Sequence, residues 1–216
     1  MEKDQIVPAD AALIQHQTVI KEKNNSNFNI DRSNVTFNID HVNWVGQKFS
    51  TSQDLIAVQS FSTEYYQLLV TCEEDVFENQ FVTVSKDRAL TQYLVPDEIF
   101  DRCSTLSDTG IAELKTFPAI ICRENPELRG FTDPNQFAMY AYITKVLKTY
   151  SDIKVSFHPL SPIRQQILCK KSNSIYFELN MECAITDLNR SAWHVKRTNL
   201  FEAFNEVGLG NLPHPY

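Results

Sequence analysis

The sequence predicts an α+β protein: a mixed sheet with helices packed largely on one face, preceded by an N-terminal hairpin and a helix. Three observations carry this expectation. Runs such as Ile153, Val155 and Phe157, set between Lys154, Ser156 and His158, have the two-residue period of half-buried strands. Other stretches space their apolar residues three or four apart, as surface helices do. Finally, 43% of the 216 residues are hydrophobic and 11% are aromatic, enough to build a core without disulfides or metals.

Taken in order, Phe28-Asn29-Ile30-Asp31 and Phe37-Asn38-Ile39-Asp40 flank the turn-prone Asp31-Arg32-Ser33-Asn34, which predicts a hairpin over 27–41. Leu55, Val58, Phe61, Tyr65 and Leu68 predict a helix over 52–69, with Asp54 in the first turn where the dipole favours it. Residues 80–84 read as a strand. Pro96 breaks the next stretch and starts a helix, with Asp97 and Glu98 in its first turn. Ser107 and Asp108 cap a short helix through Ile111 and Lys115, and Pro118 to Cys122 form a buried strand.

Asp133, Pro134 and Gln136 look like a helix start, followed by the stripe Met139, Tyr140, Ile143, Val146, Leu147 and Tyr150. The strand over 153–158 follows, and Ser161-Pro162 opens another helix. Ile175, Phe177, Leu179 and Met181 alternate as a strand, and so do Trp193 and Val195. Thr198 caps a last helix with Leu200, Phe201, Phe204 and Val207 on its core face, and Gly208 supplies the left-handed stop.

Glycine is scarce. Ordinary proteins carry about 7%, whereas this chain has five glycines, and none are grouped as a phosphate-cradling loop requires. No dinucleotide-binding fingerprint, P-loop or nucleophile elbow can be written, which sets aside three large enzyme classes. The five cysteines are far apart and show no zinc-ligand spacing, so reduced thiols and no disulfides are expected. No apolar run approaches the roughly 18 residues of a membrane span. The charged start Met1-Glu2-Lys3-Asp4 shows no secretory signal, so a cytoplasmic protein is expected.

Charge divides the chain. Residues 1–108 hold 8 Lys and Arg against 17 Asp and Glu, a net of −9, and residues 109–216 hold 12 against 10, a net of +2. This suggests an acidic N-terminal region over 1–108 and an α+β region over 109–216, whether as two parts or within one domain.

Three groups of residues are candidates for function. Arg190, His194, Lys196 and Arg197 crowd the approach to the last helix and form an anion-facing edge, which Lys154 and His158 would join if their strands are neighbours. Arg123 and Glu124 open a polar loop at the end of a buried strand, where open sheets commonly place ligand contacts. Lastly, Pro96-Asp97, fifteen residues, and then Glu113-Leu114-Lys115 follow the spacing of a metal-dependent nuclease site. That stretch resembles the PD-(D/E)xK nucleases. The resemblance implies Mg²⁺ held by Asp97 and Glu113, with Lys115 at the attacking water.

The leading expectation is a non-enzymatic interaction or regulatory module that needs no cofactor. Its basic C-terminal half would meet an anionic partner, nucleic acid or phosphate-bearing, and its acidic half a protein. The alternative is the Mg²⁺-dependent nuclease.

Overall fold

The computed structural model describes residues 52–215 and, before them, four strands within residues 19–45. The charged start and His16, His41 and Gly46 lie outside the described residues. The chain forms two compact units, Met1–Lys48 and Phe49–Tyr216. In the first, β1 (Val19–Lys21), β2 (Asn27–Asp31), β3 (Asn34–Ile39) and β4 (Val42–Val45) form an antiparallel sheet in sequential order. The expected hairpin is its centre: Phe28 faces Phe37, Ile30 faces Val35 and Asp31 faces Asn34.

The second unit runs α1 (Ser52–Gln59), β5 (Tyr66–Thr71), α2 (Val76–Asn79), β6 (Phe81–Ser85), α3 (Asp97–Cys103), α4 (Asp108–Leu114) and β7 (Pro118–Arg123). It continues with β8 (Phe137–Lys148), β9 (Asp152–Arg164), α5 (Gln165–Cys169), α6 (Lys171–Ser174), β10 (Ala192–Lys196) and α7 (Leu200–Glu206). Its six-stranded mixed sheet has the order β10-β5-β7-β8-β9-β6, with β5 and β7 parallel and the other neighbours antiparallel. β6 returns towards β5 and β10, so the sheet curls into half a barrel. This α+β sheet draws strands from both sides of residue 108, and all five cysteines are free thiols. Among the described residues no helix is long and apolar enough to cross a membrane.

Several elements depart from the sequence expectation. The helix over 52–69 stops at Gln59, and β5 begins at Tyr66 with all six residues buried. The helix expected from Pro134 is instead the twelve-residue β8. Asp133 makes a local turn there, its carboxylate accepting from the Asn135 amide at 2.7 Å. β9 runs on through Pro159 and Pro162 to Arg164. Proline is tolerated because β6 pairs only with Asp152 to Ser156, leaving that edge of β9 without a ladder to break. Ile175 to Met181 form a 3-10 turn and irregular chain rather than a strand, with Ile175 exposed and Phe177 buried. Asn199, not Thr198, caps α7, accepting from the Phe201 and Glu202 amides.

Directly paired residues share a face of the sheet. One face carries Tyr66, Leu68, Val70, Ile120, Cys122 and Tyr140, and is covered by Val58 of α1, Leu168 of α5, Phe177, and Leu200, Phe201 and Phe204 of α7. The opposite face buries Leu69, Ile121, Ile143, Phe157, Val155, Val82 and Val84. The α3–α4 pair reaches this second face, where Gln67 Nε2 donates to the carbonyls of Leu114 and Phe117 at 2.9 and 3.1 Å. Gly110 lets α3 and α4 close, since a Cβ there would sit 2.8 Å from the Arg102 carbonyl oxygen. The helices on the first face stop short of one end of the sheet, and that end is where the candidate site lies.

Candidate functional site

Pairing alone places the residues of the open end. In β9 the positions Lys154, Ser156 and His158 fall on the first face, while Ile153, Val155 and Phe157 are buried behind them. Across the ladder, Tyr142 lies opposite His158, Lys145 opposite Ser156, and Leu147 opposite Lys154. On the other side β6 contributes Phe81 opposite Ser156 and Thr83 opposite Lys154. The rows Phe81–Ser156–Lys145 and Thr83–Lys154–Leu147 are therefore neighbours, and the row Tyr142–His158 adjoins the first. Thr83, Lys145 and Leu147 are exposed, and the rest are half-buried. A register shift between Ile143 and Lys145 turns Lys145 outward.

Two contacts order this face. Tyr142 Oη donates to Asp54 Oδ1 at 3.1 Å, and His158 Nε2 lies 3.2 Å from the same oxygen. The two rings lie 5.1 Å apart between centroids. Burial and the neighbouring Asp54 carboxylate push the Tyr142 phenol up to about 12, so it stays protonated. At the other edge the Lys154 ammonium sits over the Phe81 ring, 3.3 Å from its centroid. Neither Lys145 nor Lys154 forms an ion pair with a carboxylate among the described residues.

Two cations of the expected anion edge, Lys196 and Arg197, are spent internally. Lys196 Nζ pairs with Asp187 at 2.8 Å, and both side chains are mostly buried. Arg197 bridges Glu64 at 3.2 Å and Glu98 at 3.5 Å. His194 is buried and its Nε2 has no hydrogen-bond partner; burial, then the Lys196 charge, lower its pKa to about 4 against an opposing pull from Asp187. Arg190 is exposed in the chain before β10. β10 and β9 are not neighbours, because β5, β7 and β8 stand between them. His194, Lys196 and Arg197 thus form no common edge with Lys154 and His158.

The polar loop after β7 is stitched to its surroundings. The Arg123 carbonyl accepts from Gln165 Nε2 at 2.7 Å and from Gln136 Nε2 at 3.0 Å. The Glu124 carboxylate takes both the amide and the hydroxyl of Ser191. These are closing contacts for the loop.

The nuclease-like residues all lie on or beside helices. Asp97 is exposed in the first turn of α3, and Lys115 is exposed just after α4. Glu113 is gripped by Arg102, whose Nη2 approaches Oε1 at 2.7 Å and whose Nε reaches both carboxylate oxygens. That guanidinium holds the Glu113 carboxyl below the ordinary carboxylate range. Arg102 stands five residues beyond Asp97, about 7.5 Å along the helix axis, so Glu113 is drawn to the opposite end of α3. Among the described residues no group of three or more His, Cys, Asp or Glu is placed to hold a metal ion.

Lys154 and His158 were legible as polar-face residues of a strand. Their neighbours Phe81, Tyr142, Lys145 and Asp54 do not follow from the sequence, since the helix expected after Pro134 points Tyr142 and Lys145 elsewhere and the pairing of β6 with β9 is tertiary. The available signal was the wealth of Tyr, Ile, Thr and Val over 140–146, which favours a strand. No family model, no curated protein and no solved structure matches the chain.

Proposed function

We propose that this protein is a non-enzymatic binding module that takes an anionic partner on the open face of β6, β9 and β8. The observation that supports this reading most directly is the pairing status of the cations: Lys145 and Lys154 meet no carboxylate among the described residues, whereas Lys196 and Arg197 are neutralised by the protein's own carboxylates. A bound polyanion replaces diffuse counterions at such lysines and releases them, which favours binding at low salt. Ser156, paired with Lys145, and Thr83, paired with Lys154, add hydroxyl donors beside the cations. The opposite kind of surface lies at α7, where an open groove of about 520 Å³ is lined by Tyr176, Thr198, Asn199, Glu202 and Glu206. Its two glutamates repel a polyanion, which gives the open sheet face electrostatic selectivity.

Release from an immobilised sulfated polysaccharide across a salt gradient tests the reading. The double variant Lys145→Glu, Lys154→Glu is expected to elute at clearly lower salt than the wild type. A matched Glu202→Gln, Glu206→Gln variant should elute no earlier than the wild type. Identical elution of the lysine variant and the wild type would remove the face from consideration.

A further inference from the structure

We infer that the anion is single-stranded nucleic acid, and that Phe81 is a stacking platform for one base which Lys154 covers in the free protein. The inference rests on the anion-binding reading of the same face and adds the identity of the partner. Phe81 is half-exposed on β6, and β6 is the last strand of the sheet order. Its ring is covered by the Lys154 ammonium at 3.3 Å and by no other aromatic ring among the described residues. A lysine on a flexible four-carbon stem is a replaceable cover, because its charge is better satisfied by a phosphate than by a ring quadrupole.

The rows give the geometry. Phe81 and Lys145 flank Ser156 in one row, roughly 10 Å apart across two strand spacings. Lys154 is diagonal to both, and its ammonium lies over the Phe81 ring. When a strand of nucleic acid arrives, Lys154 swings from the ring to a backbone phosphate and Lys145 takes a neighbouring one. The ring face vacated at Phe81 then accepts a base. Each step exchanges one contact for a stronger one.

The same exchange discriminates among polyanions. A duplex keeps its bases stacked on one another and offers the ring nothing. A sulfated polysaccharide or an acidic protein segment satisfies the lysines and leaves Phe81 uncovered in water. Only an unpaired strand brings both phosphates and free π-faces, which is how sequence-tolerant single-strand binders combine charge with stacking.

Fluorescence anisotropy on the full chain supplies the test, with labelled 12-residue DNA and RNA single strands, the DNA duplex of the same sequence, and heparin as competitor. The single strands are expected to bind about tenfold tighter than the duplex. Phe81→Leu should cost about tenfold on single strands, within the span measured for loss of one stacked base, and leave the salt slope unchanged. Phe81→Tyr, which keeps a ring, should restore binding and guards against a folding artefact. Equal affinity for duplex and single strand, or a Phe81→Leu variant that binds single strands like the wild type, overturns the inference. In either case heparin binding that still depends on Lys145 and Lys154 leaves the anion-binding reading standing. Loss of that dependence as well sinks both.

Discussion

Tyr142 and His158 stand directly opposite each other on β8 and β9, and both converge on a single oxygen of Asp54, at 3.1 and 3.2 Å. Asp54 belongs to α1 and is 7% exposed, so this carboxylate ties the helix to the sheet just where the open face begins.

Replacing Asp54 with Ala should therefore loosen α1 and free both rings. Two polar groups lose a shared acceptor, at a cost of about 1–3 kcal/mol. Denaturant unfolding measures the loss, and hydrogen exchange locates it: amides of α1 should lose protection while those of β5 and β7 keep theirs. Asp54→Asn, which retains one acceptor oxygen, should cost less. Uniform loss of protection across the sheet would show that Asp54 is no local tie.

A second anchor lies on the other face. Gln67 is fully buried; its Nε2 serves the Leu114 and Phe117 carbonyls, and its Oε1 accepts from Trp193 Nε1 at 3.1 Å. One amide thus satisfies groups on β10 and at the end of α4. Gln67→Leu preserves size but orphans three partners, so a loss of about 2–4 kcal/mol is expected. Equilibrium unfolding measures it directly. A loss below about 0.5 kcal/mol would mean that water or repacking replaces the amide.

How much of this was legible in the sequence depends on how each strand is buried. β7 is legible because Pro118 to Cys122 form a short apolar run that enters a polar loop at Arg123. β9 showed itself over 153–158 because one face is buried and the other is open, which is the condition for strict alternation. β5 is buried on both faces, so its six residues carry no period and merged with the preceding helix pattern. β8 imitated a helix for a definite reason. It is buried on both faces from Ala138 to Ala141, and its register shift makes the buried positions jump from Ile143 to Val146, a three-residue step.

The candidate site was half-legible on the same grounds. Lys154 and His158 follow from the pattern of one strand. Their partners Phe81, Tyr142 and Lys145 depend on which strands are neighbours, and that is settled by tertiary pairing rather than by local period. In the basic cluster of 190–197 the sequence shows the cations but not the carboxylates that meet Lys196 and Arg197: Asp187, Glu64 and Glu98 come from three separate segments.

His194 sets how the protein responds to acid. Its ring is buried beside Lys196, and burial first, then that charge, hold its pKa near 4, below its ordinary 6.5. Folding thus favours the neutral ring. As pH falls below 6.5 the unfolded chain takes up a proton that the folded chain refuses, so stability falls with pH until the folded value is passed. The window from 6.5 to about 4.5 is diagnostic, because Glu98 and Glu113, held below their ordinary 4.5, and Asp187, below its ordinary 3.8, still keep their charges there. Across it the wild type should lose about 2–3 kcal/mol. His194→Leu removes the titrating group, and the unpartnered Nε2 means that no hydrogen bond is lost at that atom. Its stability should stay level through this window and fall only at lower pH. Urea unfolding at half-unit pH steps distinguishes the two profiles, and parallel curves for variant and wild type would rule out His194 as the source of the slope.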